Sequence, residues 1–293
     1  MEEYNENERF ISILSDYGFK VTFGNESDTR FLRKALQALI NSTIPIKQVT
    51  FIQNEMKGLT IDSRSGIYDI ACTDENDNHF IVEMQLGDYP EFIQRMKFYA
   101  LYRFNTFVKK GKYTFEDLPK IYCIGILANN IFSDIVDYHN IAVLKNQKGE
   151  LIDDEMSFVT VELKKFKLQE NECKTDLEKL IFTMNNLNTI PESTPFPKFW
   201  DEDWLNFAIK ELDTKAMTPE QRLIYEMTVS ANALAVKNEN KKIQEAEKRK
   251  EISVKTETIS NALSMGLSIE QAAKLANVSV DFVKSVQQEL NTI

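Results

Sequence analysis

The sequence predicts an α/β protein in which a mixed β-sheet is followed by an all-helical C-terminal region. Up to about residue 165, apolar segments typical of strands alternate with segments of helical periodicity. After residue 190 the strand patterns end and helical patterns continue. We therefore expect residues 1–190 to form one domain and residues 191–293 to form a helical region.

Six segments have the apolar or alternating pattern of strands. They span residues 48–55, 66–73, 79–87, 120–128, 140–146 and 157–164. The segments 66–73 and 79–87 flank the polar turn DENDN, so we expect them to form a hairpin. A helix predicted over residues 89–111 leads from the hairpin to the segment 120–128. Strands joined by a helical crossover run parallel, which makes the sheet mixed.

Two helices are predicted beside the strands of the first domain. Residues 28–41 carry an apolar stripe at helical spacing, and Ser27 or Asp28 is expected to cap its start. Residues 89–111 place apolar side chains at steps of three and four, and they end in Lys-Lys-Gly. Basic residues and glycine favour a helix C-terminus at this point.

The C-terminal region is predicted to be helical throughout. Residues 237–258 are rich in Lys and Glu and indicate a solvated or coiled-coil-like helix. Residues 267–290 predict a helix-turn-helix-like pair, in which Ser268 and Ser279 cap the helices and Asn277 makes the turn. Residues 267–293 carry three acids and two lysines, which disfavours DNA reading by this pair. We expect this helix pair to pack within the protein or to form a homo-oligomer instead.

Composition narrows the class of protein. The net charge of −10 gives no overall positive field toward DNA or acidic membranes, although a local basic groove on an acidic enzyme remains compatible with it. Three scattered cysteines without a C-x-x-C pair favour reduced thiols, and two histidines disfavour a His-rich zinc site. The N-terminus is unlike a signal peptide, and the longest apolar run is too short to span a bilayer. We expect a cytoplasmic protein without membrane association.

Carboxylates interrupt the otherwise apolar arms of the hairpin. If the turn is symmetric about Asn76, then Asp69 lies opposite Glu83 with Cβ atoms roughly 5 Å apart. Gln85, two residues after Glu83, points to the same face. A solvated polar face is the alternative, but the neighbouring residues on both faces are apolar. The pattern therefore favours two acids set into a covered face.

Two partly dehydrated carboxylates at this distance repel each other, and one would normally take up a proton. A divalent cation relieves the conflict, and hard oxygen ligands suit Mg²⁺ or Mn²⁺. Such a metal lowers the pKa of bound water and neutralises a phosphoryl oxygen, which is the chemistry of phosphodiester hydrolysis. The acid pair thus predicts a metal site.

Three stretches in this order resemble a known family. They read SDYGFKVTFG at 15–24, YDIACTDENDNHFIVEMQ at 68–85 and RMKFYALYRFNTFVKKG at 95–111. The combination, over about residues 10–165, resembles the Rpn family of recombination-promoting nucleases, also called PD-(D/E)XK nuclease family transposases. The resemblance implies a restriction-endonuclease-like core and a metal-dependent endodeoxyribonuclease, a hydrolase that binds DNA and is linked to recombination or mobile elements.

The resemblance also implies roles for individual residues. Asp69 and Glu83 match the metal-binding acids, and the backbone carbonyl of Met84 is a further ligand. Gln85 occupies the place of the superfamily's lysine, where it can orient the attacking water but cannot accept its proton. Asp16 matches an acid near the first helix that reaches the metal directly or through water. The alternative role for Asp16 is that of a helix N-cap.

Three residues are expected to bind DNA. Lys20 follows Asp16 by one helical turn, so an ion pair competes with phosphate binding and is slightly favoured. Arg95, Tyr99 and Tyr102 form a second stripe on the helix over 89–111, where Arg95 would contact a phosphate and Tyr102 would line the same face. Core packing of the tyrosines is the alternative.

Two alternative functions stay open. The main one is a DNA-binding or assembly protein that retains the fold with weak or no catalysis, and the other is a phosphoesterase for RNA or small nucleotides.

Overall fold

The computed structural model gives the fold of most of the chain. It describes residues 9–53, 55–56, 66–67, 69–87, 91–107, 118–191 and 193–290. The chain divides into two compact units, Met1–Tyr225 and Glu226–Ile293. No helix in these described ranges is both long and apolar enough to cross a membrane.

The described residues of the first unit form eight strands. They are β1 (Val49–Phe51), β2 (Glu55–Met56), β3 (Gly66–Ile67), β4 (Ile70–Asp74), β5 (His79–Gln85), β6 (Ile121–Leu127), β7 (His139–Lys145) and β8 (Leu151–Glu162). Six of them form one sheet in the order β1-β4-β5-β6-β8-β7, and β2 pairs with β3 separately. The pairs β5–β6 and β6–β8 are parallel and the others are antiparallel. The predicted mixed sheet is therefore confirmed.

Eight α-helices are present in the ranges that the structure describes. They are α1 (Asp16–Thr22), α2 (Arg30–Leu39), α3 (Phe92–Asn105), α4 (Asp176–Asn186), α5 (Asp203–Glu211), α6 (Pro219–Ser264), α7 (Ile269–Ala276) and α8 (Val280–Leu290). Short 3₁₀ turns occupy Leu163–Lys165, Glu170–Glu172 and Lys198–Asp201. Helix α4 was missed by the sequence analysis, although Thr175 and Glu178 form a capping box at its start.

Three details of the predicted elements are wrong. The N-cap position of α2 is Thr29, and the preceding Asp28 accepts the backbone N–H and the guanidinium of Arg30. The predicted strand over 66–73 is two strands, β3 and β4, which belong to different sheets. Helix α3 ends at Asn105 with Thr106 as its C-cap, before the basic, glycine-containing end predicted at residues 109–111, which lies outside the described residues.

Both faces of the sheet are covered at the hairpin, as its apolar arms predict. Phe80 and Val82 point to the larger core, which α1, α2, α4 and α5 also line. Ala71 and Ile81 point to the opposite face and pack with residues of α3. Side chains alternate along a strand, so Glu83 lies on the same face as Ile81, beneath α3.

A glycine on the neighbouring strand lets α3 approach this face closely. Gly125 of β6 lies opposite Glu83 of β5. A Cβ atom at Gly125 would stand 2.5 Å from a ring carbon of Phe92, the first residue of α3. Only a residue without a side chain leaves room for this ring. Gly125 therefore sets the height of α3 above Glu83.

The first unit extends past residue 190, where the composition changes. The ring of Trp204 in α5 stacks on Phe31 of α2 with centroids 5.8 Å apart. Arg9 pairs with Asp213 at 2.8 Å, and the backbone N–H of Ile11 donates to the carbonyl of Leu212. These contacts tie the segment after the proline-rich stretch to the N-terminus of the same unit, up to Tyr225.

The second unit has its own small core. Ile259 and Ala262 of α6 pack with apolar residues of α7 and α8. The hydroxyl of Ser268 accepts the N–H of Gln271 at the start of α7, and Asn277 ends α7 in the left-handed conformation with φ of 50°. The predicted helix–turn–helix is thus present, and its apolar face packs within the unit. Self-association through these helices stays a prediction.

Candidate active site

The hairpin of β4 and β5 brings Asp69 and Glu83 together. Ile70 lies opposite Val82, and the strands stay in this register to the turn. In the turn, Asp74 Oδ1 accepts the backbone N–H groups of Asn76 and Asn78. One step beyond the paired residues, the same register places Asp69 opposite Glu83, as the symmetric turn predicts.

Two reciprocal hydrogen bonds hold the acids. The backbone N–H of Asp69 donates to Glu83 Oε1 at 3.2 Å. The backbone N–H of Met84 donates to Asp69 Oδ2 at 2.8 Å. Each carboxylate therefore accepts an N–H group from the opposite arm. These bonds hold the two carboxyl groups side by side, just beyond the last paired residues of β4 and β5.

Burial and neighbouring negative charges raise the pKa of both carboxyl groups. Glu83 is only 3% exposed, and burial, reinforced by the negative charge of Asp69, raises its pKa to about 8. The nearby Arg95 and the N–H of Asp69 oppose this rise without cancelling it. Asp69 is exposed as a residue, but its carboxyl group is turned toward Met84, and the loss of hydration there raises its pKa. The pair is thus an unfavourable arrangement of two anions.

Arg95 of α3 reaches the same place. Its Nη2 donates to Gln85 Oε1 at 2.8 Å and to Glu83 Oε2 at 3.4 Å. The guanidinium also lies over the rings of Phe92 and Tyr99, at 5.3 and 5.9 Å from their centroids. In the structure Arg95 therefore contacts the predicted site itself, and its contact with a DNA phosphate stays a prediction.

Helix α1 contributes two charges to the surroundings. Asp16 is the first residue of α1, and Ser15 caps the helix by accepting the N–H of Gly18. The alternative role of Asp16 as N-cap is therefore wrong, because the preceding serine fills it. Lys20 pairs with Asp16 at 3.5 Å, as favoured. Asp16 raises and Lys20 lowers the pKa of Asp69, so both act on the acid pair through space.

The two tyrosines of α3 pack against the core between this helix and the sheet. Tyr99 is 7% exposed and belongs to the core between α3 and the sheet. Tyr102 is partly buried against the same core, with its ring 6.5 Å from that of Phe98. Core packing, the alternative for both residues, is what the structure has. A DNA contact of Tyr102 stays a prediction.

The acid pair fits a hydrated divalent cation. Within the described part of the chain, no three His, Cys, Asp or Glu side chains are grouped to hold a metal. Asp69 and Glu83 supply two hard oxygen donors whose repulsion a cation would relieve. Mg²⁺ is commonly bound by one or two carboxylates while it keeps several waters. Whether the Met84 carbonyl adds a ligand stays a prediction.

Two supporting residues escaped the sequence analysis. Phe92 carries the guanidinium of Arg95 on its ring, and Gly125 makes room for that ring. The available signal was a glycine inside an apolar strand, which often marks the close approach of another element.

A comparison with protein families agrees with these features. The sequence profile of the PD-(D/E)XK nuclease family transposase matches residues 13–246, well over half of the chain. The chain belongs to this family. The resemblance first inferred from three stretches is confirmed, and with it the PD-(D/E)XK α/β fold and a link to nucleases and mobile elements. No curated protein and no solved structure gives a match.

Proposed function

We propose that this PD-(D/E)XK family member is a divalent-metal-dependent DNA endonuclease that hydrolyses phosphodiester bonds in recombination or in the movement of mobile elements. One observation carries the proposal. Glu83 is buried beside Asp69, and two hydrogen bonds between the hairpin arms hold the carboxylates together. Such a pair favours the binding of a cation. The family supplies the nuclease class.

Each residue has a role in this proposal. Asp69 and Glu83 would hold Mg²⁺ or Mn²⁺, with the Met84 carbonyl as a further ligand and Asp16 acting directly or through water. The metal, when bound, supplies Lewis-acid stabilisation of the phosphate and a water of lowered pKa. Gln85 is neutral and positions a reacting group by hydrogen bonding.

Substrate and location are also proposed. Lys20, Arg95 and Tyr102 would contact DNA, of which Lys20 is the most exposed, with 70% of its side chain accessible. All three cysteines are free and buried, which agrees with a reducing cytoplasm.

A nicking assay tests the proposal. Supercoiled plasmid is incubated with the native protein and with Glu83→Ala, in Mg²⁺, in Mn²⁺ and in EDTA. Glu155→Ala, which removes an exposed acid of β8, is the matched control. We expect metal-dependent nicking by the native protein and the control, and a loss of at least about 100-fold in Glu83→Ala. Equal nicking by native protein and Glu83→Ala would reject the assignment of the acid pair.

A catalytically weak DNA-binding protein with the same fold is the second candidate. Gln85 at the lysine position favours it, because a neutral amide does not supply the positive charge of lysine. Anisotropy of a labelled DNA duplex in Ca²⁺ separates the two candidates. Binding without nicking in any metal supports the second. Parallel assays on RNA and on a chromogenic phosphodiester test whether the substrate is another phosphodiester.

A further inference from the structure

The contact between Arg95 and Gln85 fixes which end of the glutamine amide is available. A guanidinium carries only hydrogen-bond donors, so the amide must turn its oxygen toward Arg95. The distance of 2.8 Å between Arg95 Nη2 and Gln85 Oε1 is that of a good hydrogen bond. The amide NH₂ group of Gln85 is left to meet another partner. That partner must offer an acceptor, such as an oxygen of a phosphate.

Arg95 is held in place for this contact. Its guanidinium lies over the rings of Phe92 and Tyr99, and Tyr99 is itself buried. Its bond to Glu83 is longer, at 3.4 Å, so Gln85 is the better partner. In the described part of the chain, the buried Nε of Arg95 has no hydrogen-bond partner. The guanidinium is therefore positioned largely by packing on these rings, beside the carboxyl groups of Glu83 and Asp69.

We propose that Arg95 and Gln85 act as one unit that replaces the lysine of the superfamily: Arg95 supplies the positive charge, and Gln85, oriented by Arg95, donates its amide N–H to a phosphate oxygen of the substrate. This inference rests on the proposed nuclease function. Arg95 is a positioning residue in this unit. Gln85 touches the substrate as a donor, and its amide oxygen is unavailable to the attacking water.

The orientation of the amide can be tested without catalysis. Protein labelled with ¹⁵N in glutamine side chains gives an NH₂ signal for Gln85, assigned by its absence in Gln85→Leu. We expect an ordered amide in the native protein and a mobile one in Arg95→Gln. Lys97→Gln, an exposed change on the same helix, is the control and should leave the signal unchanged. An amide equally ordered in Arg95→Gln would overturn the inference.

A double-mutant cycle tests whether Arg95 and Gln85 act together in catalysis. In the native background, Arg95→Gln should lower the nicking rate at least about tenfold. In the background of Gln85→Lys, which restores the lysine, the same change should cost less than about threefold. A merely structural role of Arg95 predicts equal losses in both backgrounds, and that result would overturn the unit. If neither the native protein nor Gln85→Lys nicks any substrate, the proposed function fails, while the amide signal still decides whether Arg95 orients Gln85.

Discussion

Two buried glutamates at the ends of parallel strands differ in how well their charges are compensated. Glu162 ends β8 and is fully buried, and Glu83 lies near the end of β5. Glu162 accepts the backbone N–H groups of Ile131 and Phe132 at 2.6 and 3.0 Å. It also pairs with Lys165, which donates to two backbone carbonyls as well. This carboxylate is fully satisfied inside the protein.

Glu83 has a much poorer set of partners. Its hydrogen bonds with Asp69 and Arg95 measure 3.2 and 3.4 Å, and Asp69 brings a second negative charge. A buried carboxylate with short bonds and its own lysine stabilises a loop. One with long bonds and an anionic neighbour is relieved by taking up a proton or, in the proposed function, by a cation. The comparison teaches that burial alone does not distinguish the two acids, whereas the completeness of their compensation does.

The largest expected effect on stability is at Glu162. Glu162→Ala leaves Lys165 buried without its carboxylate, which typically costs about 3–5 kcal/mol. Urea unfolding should show this loss in the free energy of unfolding. The double variant Glu162→Ala with Lys165→Met removes both charges and should recover much of the stability. A single variant as stable as the native protein would remove the distinction between the two glutamates.

The variant Glu83→Gln should instead increase the free energy of unfolding at neutral pH. The unfolded chain ionises Glu83 near its ordinary pKa of 4.5, whereas the folded protein keeps the proton until about pH 8. Native stability therefore falls as the pH rises between these values. In EDTA at pH 7 the variant should be more stable than the native protein by up to about 3 kcal/mol, and the gain should vanish near pH 4.5. Urea unfolding at several pH values measures this.

Unfolding in Mg²⁺ or Mn²⁺ extends the comparison of the native protein with Glu83→Gln. A bound metal should stabilise the native protein by an amount that rises with the logarithm of its concentration above the Kd, and it should stabilise Glu83→Gln less. Equal stabilisation of both proteins would show that the metal binds elsewhere.

Gly125→Ala tests the support of the site. The added methyl would overlap the ring of Phe92 and approach Met96, so α3 must shift, at a cost of about 1–3 kcal/mol. We also expect weaker nicking, because Arg95 moves with the helix. Gly149→Ala is a contrasting variant, since nothing lies within 4 Å of its added Cβ, although its positive φ adds a small strain of its own. Nicking and stability that stay native in Gly125→Ala would contradict this role of the glycine.

The smallest effect is expected at the exposed pair of Asp16 and Lys20. Exposed ion pairs contribute about 0–1 kcal/mol, so Asp16→Asn should leave unfolding nearly unchanged. It should lower the pKa of Asp69, because a negative charge is removed. Carbon-13 NMR titration of the Asp69 carboxyl measures this direction. A rise in the pKa would mean that Asp16 acts on Asp69 in another way.

The sequence predicted the hairpin site better than its surroundings. The opposition of Asp69 and Glu83 followed from a symmetric turn, since a two-residue side-chain period leaves little freedom once the turn is placed. The burial of Glu83 followed from apolar neighbours on both faces. The contact of Arg95 with Gln85 did not follow, because it depends on the height of α3 above β5. That height is a tertiary property set by the packing of Phe92 over Gly125.

Helix α4 and the contacts of α5 with α2 were not foreseen for a related reason. The capping pair of Thr175 and Glu178 marks a helix start, but helices are recognised first by the periodicity of the residues that follow. The attachment of α5 to α2 joins residues far apart in the sequence, and a change of composition at residue 190 gives no information on such contacts.

The position of β5 has a consequence for timescales. β4 pairs with this strand from His79 to Val82, whereas β6 pairs with it along its whole length to Gln85. Because β6 holds their backbone, Glu83 and Gln85 adjust mainly through their side chains, which rotate within picoseconds to nanoseconds where they are exposed and more slowly where they are buried, as at Glu83. In the proposed function, an ion or a phosphate that reaches this strand would be met by such side-chain rotation.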